Sequence, residues 1–113
     1  MKTKTNGQRD AAVTIDRMVK RIVRLFAPEK IVLFGSHANG TAGADSDVDL
    51  LVVMPVKDSK RKKAVEIGVA LHDFSVSKDI VLSTPEDFAW RKDVVGTIEY
   101  PAAHEGKVLY AKS

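Results

Sequence analysis

Two short apolar runs, Ile31–Phe34 and Leu50–Met54, constrain this chain more than any other feature. Each is rich in branched side chains and suits a strand buried on both faces. Neither approaches the ~20 apolar residues that cross a membrane. The first runs straight into Gly35-Ser36, and the second follows Asp47-Val48-Asp49. Small and acidic residues therefore sit directly at the ends of core strands.

The elements around these runs read from periodicity and caps. Residues 1–8 are polar and read as a frayed tail, ahead of a single domain over 9–113. From Arg9, Ile15, Met18, Val19, Ile22, Val23, Leu25 and Phe26 recur at helical steps, and Pro28 places the stop at Ala27. Ile31–Phe34 reads as a strand, with Ser36 capping a turn over His37-Ala38-Asn39. A second strand runs from Val48 to Met54. Asp58 or Ser59 caps a helix reaching about Asp73, with Ala64, Ile67, Leu71 and Phe74 inward. Lys78–Ser83 is a third strand. Thr84, Pro85 and Asp87 open another helix in which Phe88 and Trp90 pack. Thr97–Glu105 is a short helix ended by Gly106, and Val108-Leu109-Tyr110 is a last strand or a docked tail. This order implies an α/β or α+β domain with a small sheet.

Charge and composition narrow the function classes. The 113 residues carry 18 Lys/Arg and 15 Asp/Glu, a net +3. Residues 1–30 hold eight basic and three acidic side chains, and residues 31–113 hold ten and twelve. The basicity thus belongs to the first segment, and no predicted face interleaves aromatic with basic residues, so direct nucleic-acid binding ranks last. The polar stretch Met1–Asp10 has no signal core and there are no cysteines. Disulfides, zinc ribbons and thiol catalysis are excluded, and a cytoplasmic location is expected.

The chemistry concentrates at the two strand ends. Gly35 lets backbone approach a ligand, and the amides and hydroxyl that follow suit phosphate oxygens. Asp47 and Asp49 project on one face of a pleated strand, since side chains alternate. Two such carboxylates raise each other's pKa unless a cation lies between them, and oxygen ligands select Mg²⁺ or Mn²⁺ over zinc. Asp79 breaks an apolar pattern on the third strand and is able to join them if that strand lies beside the second. His72 and His104 read as ordinary surface or helix-end histidines. Lys60 to Lys63 read as a solvated helix start, and Arg17, Lys20, Arg21 and Arg24 as a solvated or docking face.

Together, Gly35-Ser36, Asp47-Val48-Asp49 and the later Asp79 resemble the nucleotidyltransferase superfamily typified by DNA polymerase beta. More closely, the chain from about Arg9 to Ala111 resembles the minimal nucleotidyltransferases, including its ending Glu105-Gly106-Lys107-Val108-Leu109-Tyr110. The resemblance implies a small mixed sheet flanked by helices, and transfer of a nucleotide from a triphosphate such as ATP to a hydroxyl. It implies nucleotide binding by Gly35 and Ser36, and His37 and Asn39 are read beside them as neutral hydrogen-bond donors to the nucleotide. Asp47, Asp49 and Asp79 would hold metal and act in catalysis. It further implies service as antitoxin to a HEPN-type ribonuclease toxin, with some members adenylylating a toxin tyrosine. Asn39 stands where Arg is common and His37 where Arg is frequent, so the turn carries less fixed positive charge. The short chain leaves the acceptor site to a protein partner or a second copy. Two other functions compete: neutralising a partner by docking alone, and transfer to a small molecule such as an aminoglycoside.

Overall fold

The structure, a computed structural model, describes residues 6–43 and 45–113, with the first helix's side chains described from Asp10 onward. The order is α1 (Asn6–Phe26), β1 (Lys30–Phe34), α2 (Ser36–Asn39), β2 (Val48–Val53), α3 (Lys60–Ala70), β3 (Lys78–Ser83), α4 (Pro85–Arg91), α5 (Glu99–Glu105) and β4 (Lys107–Ala111). The sheet order is β3-β2-β1-β4. β1 is antiparallel to β2 and β4, whereas β2 and β3 are parallel, joined by α3 as the crossover such a pair needs. The expected small mixed sheet flanked by helices is therefore the fold. The last strand is a true strand rather than a docked tail.

Alternation along the strands sorts side chains between two apolar layers. Ile31, Leu33, Val48, Leu50 and Val52 pack with Ile15, Met18, Val19 and Ile22 of α1 and with Ile67 and Leu71. Val32, Phe34, Leu51 and Val53 face the other way, against Ala102 of α5, with Val81 and Phe88 alongside. Full burial of each such aliphatic side chain contributes about 1.5–3 kcal/mol.

Caps agree with the local chemistry at most boundaries. Ser59 accepts from the Lys62 amide at 3.2 Å, and Thr84 accepts from the Asp87 amide at 3.1 Å. Pro101 sits in the first turn of α5, where its missing N–H costs nothing. Ala27 ends α1 at φ 47°, its amide bonded to Val23 O at 3.0 Å, because Pro28 bars a right-handed helical conformation there.

Five readings need correction. α1 already begins at Asn6, so only residues 1–5 of the expected tail lie outside the described residues. Leu25 is 53% exposed although it stands seven residues after Met18, at the margin of the stripe in the last turn of α1. Ser36 does not cap its turn: Gly35 takes the cap position, and no side-chain bond closes it. α3 stops at Ala70, where Leu71 leaves helical geometry. Trp90 is 57% exposed because α4 turns Phe88, which is half-buried, toward the sheet instead, and the Arg91 guanidinium lies 5.0 Å from the indole centroid.

Candidate active site

Three aspartates meet at one end of the sheet. In the β2–β3 register, Asp49 pairs with Asp79, and in the β1–β2 register it pairs with Phe34. Adjacent strands lie ~4.8 Å apart and register partners share a face, so Asp79 stands beside Asp49. Asp47 precedes β2 on the same parity. That face is the one bearing Leu51 and Val53, under α4 and α5 rather than under α1 and α3. Asp47 and Asp79 are exposed and Asp49 is half-buried.

Gly35 closes this end from β1. Its φ of 75° and ψ of −155° suit glycine alone. A Cβ added there would overlap Asp49 Oδ2 and stand 3.3 Å from Asp49 Cγ. The missing side chain thus brings backbone directly against the carboxylate. Beyond it, the amides of Ala38 and Asn39 bond back to Gly35 O at 3.0 and 3.2 Å. The Ser36 and His37 amides at the start of α2 stay outside those bonds.

The loop between β1 and β2 is held by its own polar groups. His37 Nε2 donates to Ser46 O at 3.2 Å. The Gly43 amide donates to Ser46 Oγ at 2.8 Å. Asn39 Oδ1 accepts from the Thr41 amide at 3.0 Å and from its hydroxyl at 2.5 Å. Asn39 therefore braces the loop with its carbonyl and keeps its NH₂ donors.

Electrostatics mark the cluster. Burial pushes the Asp49 carboxyl above its ordinary value, the charges of Asp79 and Asp47 push it further, and His37 opposes them. None of the three aspartates has a Lys, Arg or His ion-pair partner among the described residues. Three uncompensated carboxylates are a hard-oxygen donor set suited to Mg²⁺ or Mn²⁺. They do not form a closed cage: no group of three acidic or histidine side chains is arranged as metal ligands among the described residues. Asp47 is engaged otherwise: its Oδ1 accepts a short bond from the Ser77 hydroxyl.

Ser77 is the site residue that sequence reasoning missed. It lies just before β3, and its carbonyl also accepts from the Val48 amide at 2.9 Å. A serine one residue before a strand carries no local signal of that role.

The other proposed polar groups are placed elsewhere. Arg21 pairs with Asp73, donates to Ala70 O at 3.1 Å and stacks 4.5 Å from the Phe74 centroid. It clamps α1 onto the end of α3 and is not part of a free basic face. Lys20 pairs with Asp16 at 2.9 Å, Lys60 with Asp87 at 2.7 Å and Lys63 with Glu66 at 2.9 Å. His104 bonds to Asp93 at 3.1 Å, a side-chain partner rather than only a helix end.

Residues 15–102 match the family described as "Nucleotidyltransferase domain". The chain belongs to that family. Solved structures share the fold at low identity. One is a candidate nucleotidyltransferase from Sulfolobus solfataricus, 17% identical, matching 99% of this chain and 93% of that chain with a TM-score of 0.69. Another is a toxin–antitoxin with AMP-PNP, 19% identical over 87% and 74% of the two chains, TM-score 0.53. A mutant of the toxin–antitoxin MntA–HpeT aligns at 19% identity over 88% and 73%, TM-score 0.52. No curated protein matches the chain. No helix among the described residues is long and apolar enough to cross a membrane.

Proposed function

We propose that this nucleotidyltransferase-domain protein moves AMP from ATP to a hydroxyl of a partner protein, as antitoxin to a HEPN-type ribonuclease toxin. The observation that carries the proposal is the meeting of the Gly35 turn with Asp47, Asp49 and Asp79 at one open end of the sheet. The antitoxin role draws support from the likeness to toxin–antitoxin structures, one of them with AMP-PNP.

Each residue has a task in this reading. Gly35 admits phosphate to the backbone, and the Ser36 and His37 amides with the Ser36 hydroxyl bind its oxygens. The Asn39 NH₂ group adds donors where a fixed charge is missing. Asp47, Asp49 and Asp79 would hold Mg²⁺ or Mn²⁺, which supplies charge neutralisation for displacement at phosphorus. Asp79 is exposed on the edge strand β3, where an incoming hydroxyl is reachable, and accepts its proton. The hydroxyl oxygen bonds to the α-phosphorus as the bond to pyrophosphate breaks. The open approach to Asp79 favours a macromolecular acceptor.

A second reading, neutralisation by docking alone, is favoured by the turn chemistry, since Asn39 and His37 supply no fixed positive charge. Incubation with α-labelled ATP and Mg²⁺, with and without the partner, separates the two. Label on the partner that vanishes in Asp47→Ala and Asp49→Ala is the expected result. Tight stoichiometric binding with no label, surviving both substitutions, would establish docking instead. Label passed to an aminoglycoside and not to protein would mark a small-molecule enzyme.

A further inference from the structure

The end of the sheet opposite the aspartates carries a groove between α4 and the β1–β4 pair. It is shallow and open, about 660 Å³, and adjoins a recess of about 170 Å³ beside Gly106 and Val108. Lys30, Phe88 and Lys92 line both parts, and Lys112 lines the larger. Gly106 lets the chain pack closely beside the recess: a Cβ there would press to 2.7 Å from Val32 Cγ1 and 2.8 Å from Leu33 O.

The lining is apolar below and cationic at the rim. Phe88, Val53 and Val108 supply the apolar surface, and Val108 is 57% exposed. Lys30, Lys92 and Lys112 have no carboxylate ion-pair partner among the described residues, and Glu29 is the single acid on the groove. Lys30 Nζ stands 5.3 Å from the Phe88 ring centroid, so the ring positions the ammonium without neutralising it. Unpaired ammonium groups around an apolar floor complement a ligand that is both acidic and apolar.

The lining suits an extended ligand, since of β4 it takes Val108 and Ala111, near the two ends of the strand. β4 spans five residues, and a chain lying along it covers ~17 Å. We infer that this groove docks an extended acidic segment of a partner protein, with apolar side chains on Phe88 and Val108 and carboxylates on Lys30, Lys92 and Lys112. The groove and the aspartates lie at opposite ends of β1, so docking here does not depend on transfer chemistry there.

Fluorescence anisotropy of the full chain tests it, with a labelled peptide of about six residues alternating Glu with Phe or Leu. The peptide binds the natural chain and loses affinity as salt rises. The double variant Lys92→Glu, Lys112→Glu binds about tenfold more weakly, with circular dichroism confirming that both exposed substitutions leave the fold intact. Val108→Asp weakens binding too, whereas Asp49→Asn leaves it unchanged and so separates this site from the aspartates. Equal binding of a Gln-for-Glu peptide, or of the double variant, overturns the inference. So does an absence of binding by the natural chain, or displacement of the peptide by stoichiometric inorganic triphosphate.

Discussion

The two faces of β2 are built from one strand and do opposite work. Val48, Leu50 and Val52 enter a closed apolar layer under α1 and α3 and are completely buried. Asp49 faces the α4–α5 side, where the cover is thinner and the strand ends reach solvent. Alternation allows one strand to anchor the domain and to present chemistry, because neighbouring residues never share a face. On the proposed function, substitutions one residue apart here separate stability from activity.

That separation is sharpest at adjacent positions. Asp49→Asn is expected to reduce labelled-AMP transfer by roughly 10²-fold or more while leaving the melting temperature unchanged or higher. A fall in melting temperature comparable to a core truncation would break the contrast. Leu50→Ala, one residue on, is expected to cost about 2–5 kcal/mol in urea unfolding, since Leu50 is wholly enclosed. Its remaining folded fraction keeps transfer activity. Smaller in stability is Gly35→Ala, where positive φ with extended ψ costs a non-glycine residue about 1–3 kcal/mol and the new methyl displaces the Asp49 carboxylate. Transfer is lost out of proportion to unfolding, which parallel urea and activity curves will read. Ser77→Ala removes one hydrogen bond, about 1 kcal/mol at most, and frees Asp47. Tighter Mn²⁺ binding in a titration is the expected sign of that freedom, and unchanged binding would show that Ser77 does not restrain Asp47.

The two sides of the domain also differ in the sign of their pH response. Asp49 is raised above its unfolded value, so its contribution is full below the unfolded pKa and is lost as pH rises through the folded one. Asp73, beside Arg21, is lowered, chiefly by their hydrogen bond. Its contribution is present above the unfolded pKa and is lost as pH falls through the folded one. Metal-free Asp49→Asn therefore flattens the loss of stability on the alkaline side of the carboxylate range, while Asp73→Asn flattens the loss on the acid side. Urea midpoints across pH 3 to about 7 will resolve the two, and equal effects of both substitutions would contradict the assignment.

Much of the fold was legible because its signals are local. Ser59 and Thr84 cap where their side chains predict, and Lys78–Ser83 is a strand over the expected residues. Leu25 and Trp90 were misplaced because apolar character near a helix stripe does not say which residues a neighbouring layer reaches. Arg21 looked like one of several solvated cations, yet its guanidinium is used by Asp73, Ala70 and Phe74, residues about fifty positions away. Ser77 gave no signal at all, since its role depends on Asp47 arriving from another strand.

The sequence by itself determined most of the elements, the glycine turn and the two-residue spacing of Asp47 and Asp49. Period, caps and the two-residue repeat of a strand are properties of a few neighbouring residues. Only the tertiary structure decided that β3 lies parallel to β2 with Asp79 opposite Asp49, and that three lysines gather at the far end around Phe88. Strand order and register are chosen by burial of whole faces against α1, α3, α4 and α5. The same apolar run satisfies its local preferences at either edge of a sheet, so the choice rests on contacts between residues distant in the chain.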